Sequence, residues 1–352
     1  MQRDQGPSGP SPEATGAGDA ASEPERPGRR PRAGSTTGGG RVAVLAGGVG
    51  AARLLAGLVR VVPQADVTAI VNTGDDLVLH GLAISPDIDT VVYTVAGAID
   101  PERGWGLRDE TWHAMEALDR YGGATWFGLG DRDLATHLYR TQRLGDGLGL
   151  ATVTAEIAAS WGLDLRVLPV TEHPLRTMIT LAEGESPGGG DEVAFQDYFV
   201  RRRHAVRVGN VRFAGVDQAR PGPGVLDAIA GAETVVVAPS NPIVSIGPVM
   251  AVPGMRAAVE ARRDDVVAVS PLVGGRALKG PADRLLRELG HDDSVVGVAR
   301  LYAPFVGTLV IDDADADHAD AVRAAGLRCV VTDTIMRDPA AAAALCDVVL
   351  GR

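Results

Sequence analysis

Apolar residues fall into two alternating rhythms along this chain. Short runs of Val, Ile, Leu and Ala recur as RVAVLA from Arg41, DVTAIVN from Asp66, TVVVAPSN from Thr234, DVVAVSPLVGG from Asp265, GTLVIDD from Gly307 and LRCVVTD from Leu327. Each is too short for a helix and apolar at successive positions. Each is bounded by Gly, Pro, Asn or Asp, which predicts strands buried on both faces of a parallel sheet. Ala- and Leu-rich stretches with helical spacing separate them, as in RLLAGLVRV from Arg53. The alternation predicts an α/β fold: a doubly wound, mainly parallel, Rossmann-like sheet built from residues 41–99 and 208–352.

Between those halves the pattern changes. DETWHAMEALDRYG, DRDLATHLYRTQRL and LATVTAEIAASWGL read as helices, and Trp105, Trp112, Trp126 and Trp161 all fall in or beside this region. LRVLPV, RTMITLAEG, EVAFQDYFVRRR and AVRVGNVRFAG then read as strands, with GESPGGGDE as a loose hairpin tip. Residues 100–207 are therefore expected to form an inserted helical and β-hairpin region that binds substrate. Residues 1–40 are rich in Pro, Gly, Ser and Arg and have no apolar segment, so a disordered tail without a secretory signal is expected there.

Composition narrows the function classes. The 352 residues are 45% hydrophobic, enough for a sizeable core, and only 4% aromatic, so that core must be aliphatic. A net charge of −11 gives no global attraction for nucleic acid or an anionic membrane, so any phosphate must be held by local groups. Cys329 and Cys346 are the only cysteines, too few for a disulfide framework or a Cys-based zinc site, which fits a reducing cytoplasm. No apolar run approaches the roughly 20 residues that cross a bilayer.

Four stretches carry candidate chemistry. GGVGAAR, Gly47 to Arg53, follows a strand and opens a helix, where backbone N–H groups and the helix dipole favour an anion. Arg53 stands where a dinucleotide fingerprint has its third glycine, which disfavours a NAD(P) oxidoreductase. Asp75 and Asp76 end the second strand, and Asp87 and Asp89 follow in SPDIDT. Oxygen-only ligands of this kind suit Mg²⁺, and on the residues alone a solvated loop and a metal site both remain open. APSNPIVSIGPV, from Ala238, offers Ser240, Asn241 and Ser245 on a Pro-rich, rigid loop; a cap and turn is the simpler alternative. SPLVGGRALKGPADRLL repeats the strand–glycine turn–helix theme with Arg276 and Lys279 as candidate phosphate cations. Asp131, Arg132, Asp133 and His137 cluster at a helix start, which alone is weak. DDADADHAD places His318 and Ala324 where a calcium loop needs Gly and Glu, so a solvated loop is expected there. RRRH, from Arg201, is expected on a strand's wet face.

Read together, AGGVGAAR, NTGDD, SPDIDT, RGWGLRDETW, WFGLGDRDLATH, FQDYFVRRR and APSNPIVSIGP, in this order, resemble the 2-phospho-L-lactate transferase family of coenzyme F-420 biosynthesis. The resemblance spans Arg41 to Arg352 and is nearest to the actinobacterial phosphoenolpyruvate transferase branch. It implies transfer from a guanosine diphosphate ester of phosphoenolpyruvate or 2-phospholactate to the ribityl hydroxyl of FO (7,8-didemethyl-8-hydroxy-5-deazariboflavin), with release of GMP. It implies Mg²⁺ on Asp75 and Asp89, with Asp76 orienting that site. It implies the donor along Gly47, Gly48, Val49, Gly50, Pro239, Ser240, Asn241 and Ser245, with Thr90 and Asp131 at the substrate. Arg53, Arg132 and Lys279 are the expected charge partners. A homodimer is implied, and no residue stands out as a general base. The rival reading is a non-catalytic, nucleotide-sugar-binding regulator of cell-wall metabolism, which shares the glycine loop but not WFGLGDRDLATH.

Overall fold

A computed structural model describes residues 40–182 and 190–352. The expected tail and most of the expected hairpin tip lie outside the described residues. Strand β1 (Val42–Ala46) is buried at every position and feeds helix α1 (Gly48–Val61). Next come β2 (Val67–Val71), a hairpin of β3 (Leu77–Leu79) and β4 (Leu82–Ile84), and helix α2 (Pro86–Val95). Pro86 sits at the first helical positions, where a missing N–H costs nothing. Three helices follow: α3 (His113–Arg120), α4 (Asp133–Gly145) and α5 (Leu150–Ser160). After them run β5 (Arg166–Pro169), β6 (Arg176–Leu181), β7 (Glu192–Ala194) and β8 (Val208–Ala214). The last third holds β9 (Thr234–Val237), β10 (Val266–Val269), the short pair β11 (Leu272–Val273) and β12 (Arg276–Ala277), then β13 (Thr308–Ile311) and β14 (Arg328–Val331), separated by helices.

Seven strands make one parallel sheet in the order β14-β13-β10-β9-β1-β2-β5. The chain winds outward from β1 through β2 to β5, and outward the other way from β9 to β14. The reversal lies between β1 and β9, and a doubly wound sheet leaves its ligand crevice at the carboxyl ends of the strands there. Alternate residues serve the two faces. Val42, Val44 and Ala46 pack with Leu54, Leu58, Ile88, Val92 and Leu345, while Ala43 and Leu45 pack with Val237, Val249 and Met255. Burying each such aliphatic side chain is worth about 1.5–3 kcal/mol, which lets an aromatic-poor core suffice. On the first face, α1 crosses the C-terminal helix Pro339–Val349 closely. A Cβ at Gly57 would lie 2.5 Å from the Ala342 carbonyl carbon, and Cys346 Sγ donates to the Leu54 carbonyl at 3.4 Å.

The doubly wound sheet agrees with the sequence, but the insertion is drawn differently. Arg166–Pro169, expected inside it, pairs with β2 and forms the edge of the main sheet. Val208–Ala214, expected in the main sheet, pairs with β6 in a separate antiparallel sheet of order β7-β6-β8. EVAFQDYFVRRR holds only the three-residue strand β7; the chain then coils into a π-helical turn at Asp197–Arg201, so RRRH is not a strand face. Phe195 and Tyr198 are both buried against Ile179 and Leu181 of β6, and an extended chain would send residues three apart to opposite faces.

Candidate active site

The sheet reversal places the GGVG turn beside the APSN loop. Gly48 holds a positive φ of 70° at the start of α1. A Cβ on Gly50 would lie 2.3 Å from the Pro239 carbonyl oxygen, so only glycine permits this approach of helix to loop. Ser240 Oγ donates to the Gly47 carbonyl at 2.7 Å, and Asn241 Oδ1 accepts from the Ile243 and Val244 amides at 2.9 and 3.3 Å. These contacts make the two loops one rigid wall.

Below that wall lie the acids. Asp87 Oδ1 accepts from the Gly48 amide at 2.8 Å, and Asp87 Oδ2 accepts from Asn72 Nδ2 at 2.9 Å. Asn72 Oδ1 in turn accepts from the Gly74 amide at 2.7 Å, which shapes the turn carrying Asp75. Asp75 is buried, and its Oδ1 has no hydrogen-bond partner. Burial pushes its carboxyl well above the usual range, and the Asp87 carboxylate pushes it further, against the Asn72 side chain. Burial raises Asp87 to about 6, opposed by its bonds from Asn72 and Gly48. Burial likewise raises Asp76 to about 7, opposed first by the Ser85 hydroxyl, which donates to Asp76 Oδ2 at 2.9 Å.

Two adjoining cavities open over these residues. The larger, about 360 Å³, is lined by Asp75, Asp87 and Thr90 and by the aromatic side chains of Trp105, Phe127, Phe195 and Phe199. Gly47 to Gly50, Pro239 to Asn241, and Ser245 also line it. The smaller, about 150 Å³, shares Val49, Gly50, Asn241 and Lys279 and adds Arg53, Arg337, Ser270 and Thr334. One pocket is thus largely apolar and flat-walled, the other basic. Lys279 belongs to both, and burial, with Arg53 nearby, lowers its ammonium pKa.

The structure does not bring every expected residue here. Asp89 does not line either cavity; its carboxylate faces away and is taken up by both terminal nitrogens of Arg140. Helical spacing is the reason, because residues two apart in α2 point to opposite sides. Asp131 is a cap for α3: it accepts from Thr111 Oγ1 at 2.6 Å and from the His113 and Ala114 amides at 3.0 Å each. Arg132 donates to the Arg108 carbonyl at 2.8 Å, on the protein surface. Sequence reasoning had not put Phe127, Phe195, Gln196 or Phe199 at the site; FQDYF inside an otherwise polar run was the available signal.

The sequence of residues 42–349 matches the 2-phospho-L-lactate transferase CofD family. The chain belongs to that family. It is thereby a transferase of the phosphoenolpyruvate/2-phospho-L-lactate class, in coenzyme F-420 biosynthesis. It is similar to the phosphoenolpyruvate transferase of Streptomyces griseus, 44% identical over 307 residues covering 87% of this chain and 96% of that protein. It is similar also to the phosphoenolpyruvate transferase of Mycolicibacterium smegmatis, 39% identical over 315 residues, with 87% and 96% covered. The expected likeness to the actinobacterial branch of the family is borne out. In fold it resembles a UPF0052-family protein of Bacillus halodurans, with a TM-score of 0.58 at 15% identity over 89% of this chain and 99% of that one. Among the described residues, no helix is long and apolar enough to cross a membrane.

Proposed function

We propose that this transferase moves the phosphoenolpyruvyl group from a guanosine diphosphate ester to the ribityl hydroxyl of FO, releasing GMP, with Mg²⁺ bound at the acids. The observation that carries the reading is the unpartnered, buried Asp75 Oδ1 beside Asp87, in the lining of an aromatic cavity that adjoins a basic one. Two buried carboxylates side by side repel, and a divalent cation relieves both the repulsion and the orphaned oxygen. Among the described residues no cluster of three or more metal-ligating side chains occurs, and two carboxylates completed by substrate phosphate and water suit Mg²⁺. Asp75 and Asp87 are the residues that would hold it, with Asp89 committed to Arg140. When bound, Mg²⁺ neutralises charge on the diphosphate.

The chain's own groups supply the rest. Amides of Val49 and Gly50 open α1 towards a phosphate, with the Gly48 amide given to Asp87. Lys279 and Arg53 meet the same anion from the basic side. The aromatic walls suit the flat deazaflavin of FO, and the smaller cavity suits the nucleotide that leaves. The ribityl oxygen forms the new bond to phosphorus and gives up its proton to solvent, and GMP departs with the electrons of the broken phosphorus–oxygen bond. Such a transfer needs positioning and charge neutralisation more than a covalent nucleophile. The names of the relatives favour phosphoenolpyruvate over 2-phospholactate as the donor acid.

The test is turnover followed by mass spectrometry, with FO, Mg²⁺ and each guanylylated donor. FO carrying one phosphoenolpyruvyl group, GMP release, and loss of both with EDTA or Asp75→Asn are expected. FO left unmodified by a folded protein with both donors would refute the reading.

A further inference from the structure

Among the described residues, Arg140 is the largest side chain that is wholly buried, with an exposure of 0%. It lies on α4, in the inserted region, and its carboxylate partner Asp89 lies on α2, in the first half of the main sheet. Arg140 Nη1 donates to Asp89 Oδ2 at 3.1 Å, while Nη2 donates to Asp89 Oδ1. The same Nη1 lies 3.3 Å from His137 Nδ1 and 3.4 Å from the Ala83 carbonyl on β4. One turn back on α4, His137 Nε2 lies 3.3 Å from Asp133 Oδ2, and Tyr93 of α2 donates to Asp133 Oδ1 at 2.7 Å. A polar seam therefore runs along both helices, with Asp89 and Tyr93 on one and Asp133, His137 and Arg140 on the other.

A buried ion pair is a poor source of net stability, because desolvation cancels most of the attraction; its best-attested use is to fix registry. The element whose registry is fixed here is the first turn of α2. Asp87, on the opposite side of that turn from Asp89, reaches the Gly48 amide and faces the larger cavity, together with Thr90. A planar two-point fork resists rotation of the helix in a way that an apolar contact does not. We propose that Arg140, acting through Asp89, is a positioning residue that holds the first turn of α2 so that Asp87 and Thr90 point into the active site. The turnover arm of its test rests on the function proposed above; the structural arm does not.

The experiment compares wild type with Arg140→Lys, which keeps the charge and loses the fork, and with the double variant Asp89→Asn/Arg140→Gln, which keeps hydrogen bonding without charge. Amide exchange at Gly48 is read beside that of β1 and β9. In Arg140→Lys, Gly48 is expected to exchange about tenfold faster while the strands stay protected. Its kcat is expected to fall about tenfold or more, with the donor KM within about threefold, because a misplaced group costs chemistry more than ground-state binding. The double variant is expected to behave likewise, and it decides the matter if the lysine variant does not fold. Gly48 exchange within about twofold of wild type in a folded variant overturns the proposal, since no position would then have been transmitted. Should wild type fail to turn over either donor, the proposed function falls, and the exchange arm still decides the role of Arg140.

Discussion

Two acid-rich loops follow parallel strands in this protein, and they behave oppositely. After β13, Asp312 accepts from the Thr334 amide and hydroxyl at 2.9 and 2.8 Å, and from the Ala314 amide at 3.0 Å. Asp315 accepts from the Gly274 amide at 2.9 Å and so pins the turn of the β11–β12 hairpin. Asp313, Asp317 and Asp320 are exposed to water. Every buried acid there has donors, and the loop needs no ion. After β2, Asp75 and Asp76 each keep one buried oxygen without a partner, and Asp87 crowds Asp75. Composition is shared; satisfaction is not. Acids that have donors hold a fold together, and acids that lack them are an energetic cost, which is the basis of the cation site proposed for Asp75 and Asp87.

That contrast can be broken or sharpened by measurement. Asp75→Asn should lower turnover by about a thousandfold while leaving the melting temperature equal to or above that of the metal-free wild type, since it removes a repelled charge. A lower melting temperature would mean that Asp75 is structural, as Asp312 is. Asp312→Ala should do the reverse, costing about 2–3 kcal/mol of stability in denaturant unfolding with little change in kcat per folded molecule. Lys279→Ala should raise the donor KM about tenfold and leave FO binding unchanged, which fluorescence titration of FO would check.

A smaller effect is expected from pH. Asp76, at about 7, and Asp87, at about 6, are both raised above their unfolded values, so the folded protein holds more protons than the unfolded one in this window. Stability of the metal-free protein should therefore fall as pH rises from about 5 to about 7, and Mg²⁺ should flatten the slope. Thermal melts in EDTA and in Mg²⁺ would show it; a metal-free curve that rises over the same range would contradict the burial of these acids. Smallest of all, Asp317→Ala should shift stability by less than about 0.5 kcal/mol.

Much of this was legible in the sequence, and the gaps have physical causes. β1, β2, β9, β10, β13 and β14 announced themselves because buried parallel strands are continuous apolar runs between turn residues. LRVLPV announced a strand too, but nothing local says which sheet a strand joins. The sequence could not show that Asp131 caps α3, because a cap and a ligand use the same oxygens and its partners, the His113 and Ala114 amides, lie far off in sequence. SPDIDT alone shows that Asp87 and Asp89 cannot both face one site. Proline after serine sets a helix start there, and in a helix the acid that follows Pro86 and the one two further on cannot share a side. The commitment of Asp89 to Arg140 could not be read, because it joins α2 to α4 across the whole inserted loop.

The crossing of Gly57 over Ala342 has a consequence for how the protein is made. α1, whose amino end carries the glycine turn, lies against the helix Pro339–Val349. A growing chain has its glycine turn early, yet lacks the surface that seats α1 until residues 339–349 have been made. Seating of the first helix is thereby tied to a segment far downstream in sequence, and a chain cut short before Pro339 would leave that helix unseated.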